Sequence, residues 1–284
     1  MNVFDLHCDT ATELYHKSLP FDNSVTHINR RSLQGFEATL CLAVFFDDRK
    51  TDPNGAEFFH AVADRVESLK SPGLTPILTA EGAGALAYRA DWIDLLCQRS
   101  CRMASLVWNG RNPLATGAVT DDDAPLTDAG RAAVRELIRR GVTVDVSHLS
   151  GAGTDEILHR TDAPIVASHS NARALCDHPR NLTDDRAREI FRRGGLIGLN
   201  LCPYFLTDGR ASTEDVCRHA EHFLKLGGER GLALGCDWDG APLPEDMKDF
   251  SSLRDLACVF ETAFGNELTE RIFYRNASRF FTSP

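Results

Sequence analysis

Long hydrophobic runs are missing from this 284-residue chain: none approaches the roughly 20 apolar residues needed to cross a bilayer. The opening MNVFDLHCDT lacks the basic start and apolar stretch of a secretory signal, and the closing SRFFTSP carries no anchor pattern. The expectation is a cytoplasmic protein with no membrane partner. Positive charge is scarce as well. Lys and Arg number 31 against 41 Asp and Glu, for a formal net charge of −10. Nucleic acid needs clustered cations, so it is excluded as a partner. There is no CxxC pair, and nine cysteines is an odd number; several sit in apolar runs, as small hydrophobes do. Reduced thiols follow. No Gly-rich dinucleotide fingerprint follows the first apolar run, no P-loop occurs, and no Ser or Cys has the GxSxG or paired Cys–His setting of a nucleophile.

Against these absences stands an ordinary globular composition, 43% hydrophobic and 25% charged. Short apolar runs alternate with amphipathic patterns throughout. The runs are 3–7, 38–45, 75–80, 102–107, 142–147, 164–168, 196–200 and 231–236. Near-continuous apolar stretches of this length suit parallel strands buried on both faces. Helical patterns cover 56–70, 128–140, 184–193, 213–226, 252–264 and 267–281, several opened by Ser or Thr and closed by Gly. Eight strands with crossovers predict an α/β fold of the closed (β/α)₈ TIM-barrel type, with an open doubly wound sheet as the rival. No repeat or linker divides the chain, so residues 1–284 read as a single barrel domain.

The informative feature is where histidines and acids fall. His7, Glu81, His148, His169 and Asp237 each stand at or just past the C-terminal end of a predicted strand. In a barrel those ends converge on the face where active sites are built. In His7-x-Asp9 both side chains point the same way along a strand, so imidazole and carboxylate can reach one ion. Glu81, in LTAEGAGAL, follows a strand and precedes glycines that permit close approach. It can bridge two metals, or serve as a first-turn acid at a helix N-terminus. VDVSHLS and IVASHSNARAL both close a strand with Ser-His, at His148 and His169, and imidazoles with carboxylates suit a catalytic divalent centre. Asp237, in LALGCDWDG, can ligate metal or act as general base. Asp239 reads as a turn acid beside Gly240. His219 and His222 form an HxxH on an outer helix and read as packing or surface residues; His16, His27, His60, His159 and His178 receive no role.

Taken together, VFDLHCDT, TAEGAGAL, VDVSHLS, ASHSNARAL followed by HPRNLTDD, and LGCDWDG resemble, in content and order, the motifs of membrane (renal) dipeptidase and its microbial relatives. These are peptidase family M19 of the amidohydrolase-like superfamily, and the resemblance spans nearly the whole chain. It implies a dipeptidase with two zinc ions per chain, although Mn, Co and Fe also suit such ligands. His7 and Asp9 would bind one ion, His148 and His169 the other, and Glu81 both. Asp237 would be the catalytic acid/base, with a metal-bridging hydroxide as attacking group. Arg180 would pair with the substrate's C-terminal carboxylate, a match for its planar fork. The substrate would be a small dipeptide, a D-residue being tolerated at its C-terminal position, and the assembly a homodimer. One segment departs from the pattern. Where many members carry a carbonyl-polarising His, SLVWNGRN places Trp108, with Asn109, Arg111 and Asn112 as nearby polar residues. Trp108 and Asn112 are therefore assigned to substrate contact, and loops 46–55 and 203–211 to the pocket wall. The departure also leaves open a related amidohydrolase acting on a cyclic amide, lactone or phosphoester, and a barrel without catalysis.

Overall fold

The eight apolar runs form eight parallel strands that pair in chain order and close on themselves. The structure, a computed structural model, describes residues 1–48 and 54–282. The strands are β1 (Asn2–Cys8), β2 (Glu37–Phe45), β3 (Leu74–Glu81), β4 (Met103–Ser105), β5 (Thr143–Asp145), β6 (Val166–Ala167), β7 (Leu196–Leu199) and β8 (Leu232–Leu234). Closure is made where Asp5 of β1 meets Leu234 of β8. The crossovers carry α1 (Thr10–His16), α2 (Gly55–Ser68), α3 (Trp92–Gln98), α4 (Asp128–Arg139), α5 (Gly151–Arg160), α6 (Asp184–Arg192), α7 (Thr213–Lys225) and α8 (Leu253–Phe264). The open-sheet alternative is thereby excluded. Among the described residues no helix is long and apolar enough to cross a membrane, and all nine cysteines are unpaired.

Two apolar layers hold the barrel. The larger lies between strands and helices, where α4 buries Ala133, Val134 and Leu137, and α7 buries Val216, Ala220 and Phe223. The smaller fills the barrel interior with Phe4, Leu6, Cys41, Met103, Val166, Leu196 and Ala233. The C-terminal stretch, read from sequence as one helix, is instead α9 (Asn266–Glu270), a π-helical turn (Arg271–Arg275) and α10 (Asn276–Thr282). From α10, Ala277 and Phe281 join the interior layer, with the Phe281 ring stacked 5.4 Å from Phe4. This plugs the end of the barrel where β1 starts and leaves the opposite mouth for chemistry.

Helices α1, α3 and α5 were not among the predicted patterns. At 7, 7 and 10 residues they are too short to show a full apolar period, and α5 opens on Gly151-Ala-Gly153, a poor helix former. Tertiary packing and the Ser150 hydroxyl, which accepts from the Gly153 N–H, hold it.

His219 proves to be a core brace on α7. Its Nδ1 accepts from the Ala172 N–H at 3.0 Å and its Nε2 donates to the Leu206 carbonyl at 2.9 Å, so both ring nitrogens are occupied by backbone. His222 instead pairs with Asp184 at 2.7 Å across to α6. His219 therefore has no ring nitrogen left for a metal. Substituting His219→Leu leaves a buried N–H and C=O unpaired and is expected to cost about 2–4 kcal/mol, read from the urea midpoint. Burial lowers the His219 pKa, so the folded state keeps it neutral. The stability it supplies declines as pH falls through the unfolded imidazole value, and His219→Leu should lose that acid-side decline.

Candidate metal centre

At the open mouth the ends of β1, β3, β5, β6 and β8 deliver His7, Asp9, Glu81, His148, His169 and Asp237 to one buried cluster. His7 lies on β1, and Asp9 sits just before α1, its N–H donating to the Trp238 carbonyl at 2.8 Å. His148 (φ 70°) and Asp237 (φ 64°) both adopt the left-handed region just past their strands, a costly conformation for residues with a Cβ that surrounding structure must enforce. Gly240 completes the fit. A Cβ there would collide with the Asp9 and Asp237 carboxylates.

The Glu81 carboxylate lies at the centre. Its Oε1 is 2.9 Å from His148 Nε2 and 3.5 Å from His169 Nε2, while Oε2 is 3.6 Å from His7 Nε2. His7 Nε2 is also 3.6 Å from Asp9 Oδ2 and 3.9 Å from Asp237 Oδ1. The potential donors sort into three overlapping trios, His7–Asp9–Glu81, Glu81–His148–His169 and His7–His169–Asp237, each with its ligand atoms within 4.8 Å of one another. Glu81 belongs to the first two and so links them.

Whether these residues fit cations can be judged from their unmet hydrogen bonds. Among the described residues His7 Nε2, Asp9 Oδ1, Glu81 Oε1 and His169 Nε2 are buried without a hydrogen-bond partner. Buried polar atoms are rarely left so, and four together at one point are suited to a cation that accepts their lone pairs. Electrostatics agree. Burial pushes the Glu81 carboxyl up to about 7, with His7 pulling against it, and Asp237 rises for the same leading reason. Burial, with the nearby charges of Arg180 and His7, holds His148 and His169 well below the imidazole range. For His7 burial acts downward too, but Glu81 and Asp9 outweigh it and its pKa is raised. Acceptors crowded together at such cost are stabilised by divalent cations. The donor set fits metal.

Above the cluster opens a cavity of about 410 Å³ whose walls include Phe45, Trp108, Asn109, Cys202, Phe205 and Pro242, with Glu81, His148 and Asp237 in its lining. The Trp108 ring meets Phe45 edge-on at 4.8 Å and lies 6.1 Å from His148. Arg180 is 4% exposed, its guanidinium carbon 5.5 Å from the Phe205 ring centre, and its Nε and Nη2 have no partner. Burial lowers its pKa while Asp237 and Glu81 act to raise it. A buried guanidinium with open N–H groups calls for an anion.

Asn112 does not join this wall. Its amide donates to Asp48 Oδ1 and the Leu106 carbonyl and accepts from the N–H groups of Leu114 and Ala115. Its hydrogen-bonding positions are taken by its own loop and by Asp48 from the loop after β2, so the substrate-contact assignment gives way to a bracing one. Arg111 turns outward to Asp122. Of the loops expected to wall the pocket, 46–55 contributes Asp47 and 203–211 contributes Phe205, while residues 49–53 lie outside the described residues. Asp239 acts as a fold acid, accepting from the Thr10 hydroxyl and the His27 N–H, both at 2.5 Å; its own N–H donates to His27 Nδ1.

Several supporting residues escaped the sequence reading. The buried Asp5 carboxylate accepts from the N–H groups of His7 and Cys236 and from the Trp238 indole, tying β1 to the chain beyond β8 beneath the cluster. Asn200 donates to Asp237 Oδ2 at 3.2 Å and to the His169 carbonyl at 3.3 Å. The signal for both was present, a polar residue inside an otherwise apolar run, but its partners lie on other strands.

Residues 51–283 match the family described as membrane dipeptidase (peptidase family M19). An uncharacterised Klebsiella pneumoniae protein from the pqqA 5′ region is 31% identical over 215 residues, covering 72% of this chain and 79% of that one. An uncharacterised dipeptidase of Schizosaccharomyces pombe is 28% identical over 285 residues, covering 96% of this chain but only 66% of its own length. The fold superposes with a TM-score of 0.85 on a Rhodobacter sphaeroides metallopeptidase crystallised with a phosphinate mimic of the dipeptide L-Ala-D-Ala. That pair is 25% identical, over 98% of this chain and 97% of the other.

Proposed function

Since the chain belongs to peptidase family M19, the membrane dipeptidases, we propose that it hydrolyses dipeptides at this mouth with two zinc ions, one held by His7 and Asp9, the other by His148 and His169, and both by Glu81. The observation that carries the reading is the knot of buried, unpartnered donor atoms around Glu81, with the open guanidinium of Arg180 near enough for its charge to act with those of Glu81 and Asp237. Bound there, divalent zinc supplies Lewis-acid polarisation of a carbonyl and lowers the pKa of water toward neutrality. The remaining work falls to side chains.

Arg180 receives the substrate's C-terminal carboxylate on Nε and Nη2, the two atoms left open. This places the scissile amide between Arg180 and the Glu81 cluster. Asp237 Oδ1 takes a proton from the attacking water and returns it to the leaving amine, while Asn200 holds Oδ2. Burial, which raises the Asp237 carboxyl, makes it a better base than a surface carboxylate. Trp108 and Phe45 form an apolar wall that shields the reacting amide from solvent and bears on the substrate side chain. A C-terminal D-residue is included in the proposed substrate class, in keeping with the mimic bound by the Rhodobacter sphaeroides relative.

The test uses L-Ala-D-Ala, an L,L-dipeptide set and the matching C-terminal amides. Hydrolysis of free dipeptides should vanish with chelator and return with Zn²⁺. Arg180→Ala should lower kcat/KM on free dipeptides by about 10²-fold or more, since breaking a buried charge pair costs about 2–5 kcal/mol, and should barely affect the amides. Equal turnover of amides or lactones, indifferent to Arg180→Ala, would instead favour a different amidohydrolase.

A further inference from the structure

Two of the imidazoles in the cluster have their outer nitrogens engaged, and the partners dictate which nitrogen carries hydrogen. The buried Asp145 carboxylate, at the end of β5, accepts from the Ser147 N–H at 2.9 Å and the Ser168 N–H at 3.0 Å through Oδ1, and from the Ser168 hydroxyl at 2.5 Å through Oδ2. Ser168 has a single hydroxyl hydrogen, and the 2.5 Å contact with Asp145 Oδ2 takes it in preference to the 3.3 Å contact with Ser147 Oγ. Toward His169 Nδ1, 2.7 Å away, Ser168 Oγ can then only accept. The His169 hydrogen therefore sits on Nδ1. On the other side of the cluster, Asn109 Oδ1 lies 2.9 Å from His148 Nδ1, and a carbonyl oxygen likewise only accepts. In a neutral ring, hydrogen on Nδ1 leaves the lone pair on Nε2. Both Nε2 atoms face Glu81 Oε1, at 2.9 and 3.5 Å, so acceptor meets acceptor until a proton or cation comes between.

We propose that Asn109 and the Asp145–Ser168 pair are positioning residues that lock His148 and His169 as Nδ1–H tautomers and so preform one half of the metal centre. The proposal rests on the reading of these histidines as ligands. It accounts for Asn109, a cavity-wall residue whose amide turns toward His148, and for the second buried acid beneath the site. Such outer partners fix ring orientation and raise ligand basicity, and their loss typically costs about 10–100-fold in metal affinity. His219 supplies an internal reference, because its partners dictate the opposite tautomer, with hydrogen on Nε2.

The experiment is a two-bond ¹⁵N–¹H correlation on chelator-stripped, ¹⁵N-histidine-labelled protein, paired with zinc titration against a chromophoric chelator. Expected are Nδ1–H signals for His148 and His169 and an Nε2–H signal for His219. Ser168→Ala should release His169 alone into the other tautomer or an average, and Asn109→Leu should release His148 alone. Each should weaken zinc binding about 10–100-fold, with Asn109→Asp, an acceptor of the same shape, restoring it. Hydrogen on Nε2 with none on Nδ1 of His148 or His169 in the unsubstituted protein would overturn the proposal even if every variant misfolded. Parent-like zinc affinity in folded Ser168→Ala and Asn109→Leu would overturn it too. Nδ1–H tautomers in a parent that takes up no zinc would support the hydrogen-bond assignment and sink the metal reading on which its purpose rests.

Discussion

Glu81→Gln is expected to drop metal content well below two ions per chain and to lower dipeptide hydrolysis by about 10³-fold, since Lewis-acid stabilisation supplies several kcal/mol and each 1.36 kcal/mol is tenfold. The argument is geometric. Glu81 offers Oε1 to His148 and His169 and Oε2 to His7, and so is shared by the two trios that hold Asp9 and His148. Glutamine keeps the volume but turns one acceptor into an NH₂ donor and removes the charge, so one half of the centre meets hydrogens where it needs a lone pair. A second consequence runs the other way. With burial pushing its carboxyl up to about 7, Glu81 is a burden on the metal-free fold, and its neutral replacement should leave the chelator-treated protein as stable as the parent or more so. Metal analysis, steady-state rates and denaturation with chelator check the three parts. A Glu81→Gln protein with two tightly held ions would remove this residue from the centre.

Asp237→Asn should separate chemistry from metal binding. The expected result is a fall in kcat of about 10²–10⁴-fold, the usual worth of a positioned acid or base, with KM nearly unchanged and metal content near the parent's. Asparagine is isosteric and fits the left-handed backbone at this position (φ 64°) better than most residues, so the fold should be indifferent. What disappears is an oxygen able to take and return a proton. The competing role is built into the same geometry, because Asp237 also groups with His7 and His169 within ligand distance. Loss of an ion in parallel with activity would make Asp237 a ligand, and the acid/base assignment would fall.

How much of this was legible in one dimension depends on the range of each interaction. A barrel strand is buried on both faces, so β1, β2, β3 and β7 announced themselves as apolar runs whose ends were predicted to within a residue or so. Even β6, two residues long with Ile165 packed beside it, was visible because PIVAS has nowhere apolar to go but inward. Once strands were placed, the positions of His7, Glu81, His148 and His169 followed from barrel topology, since parallel strand ends must share a face. Short helices were less visible. α1 and α3, at seven residues each, are too short to show a full apolar period, and α5 opens on two glycines.

Asn112 marks the limit most clearly. From sequence it is a polar residue near the mouth, and only its spatial neighbours Asp48 and Leu106 show that its amide is spent. The sequence by itself determined the barrel and the chemical types gathered at its mouth, because strand burial and side-chain alternation are properties of a few adjacent residues. Tertiary structure decided the rest: which oxygen of Glu81 faces which imidazole, the open N–H groups of Arg180, the tautomers set by Asn109 and Ser168, and the Asn200 bond to Asp237. Each of these depends on sub-ångström placement between strands separated by tens to hundreds of residues, as with the Asp5–Cys236 bond that spans 231 positions. A hydrogen bond lives or dies over less than 1 Å, and no local pattern encodes a distance of that kind.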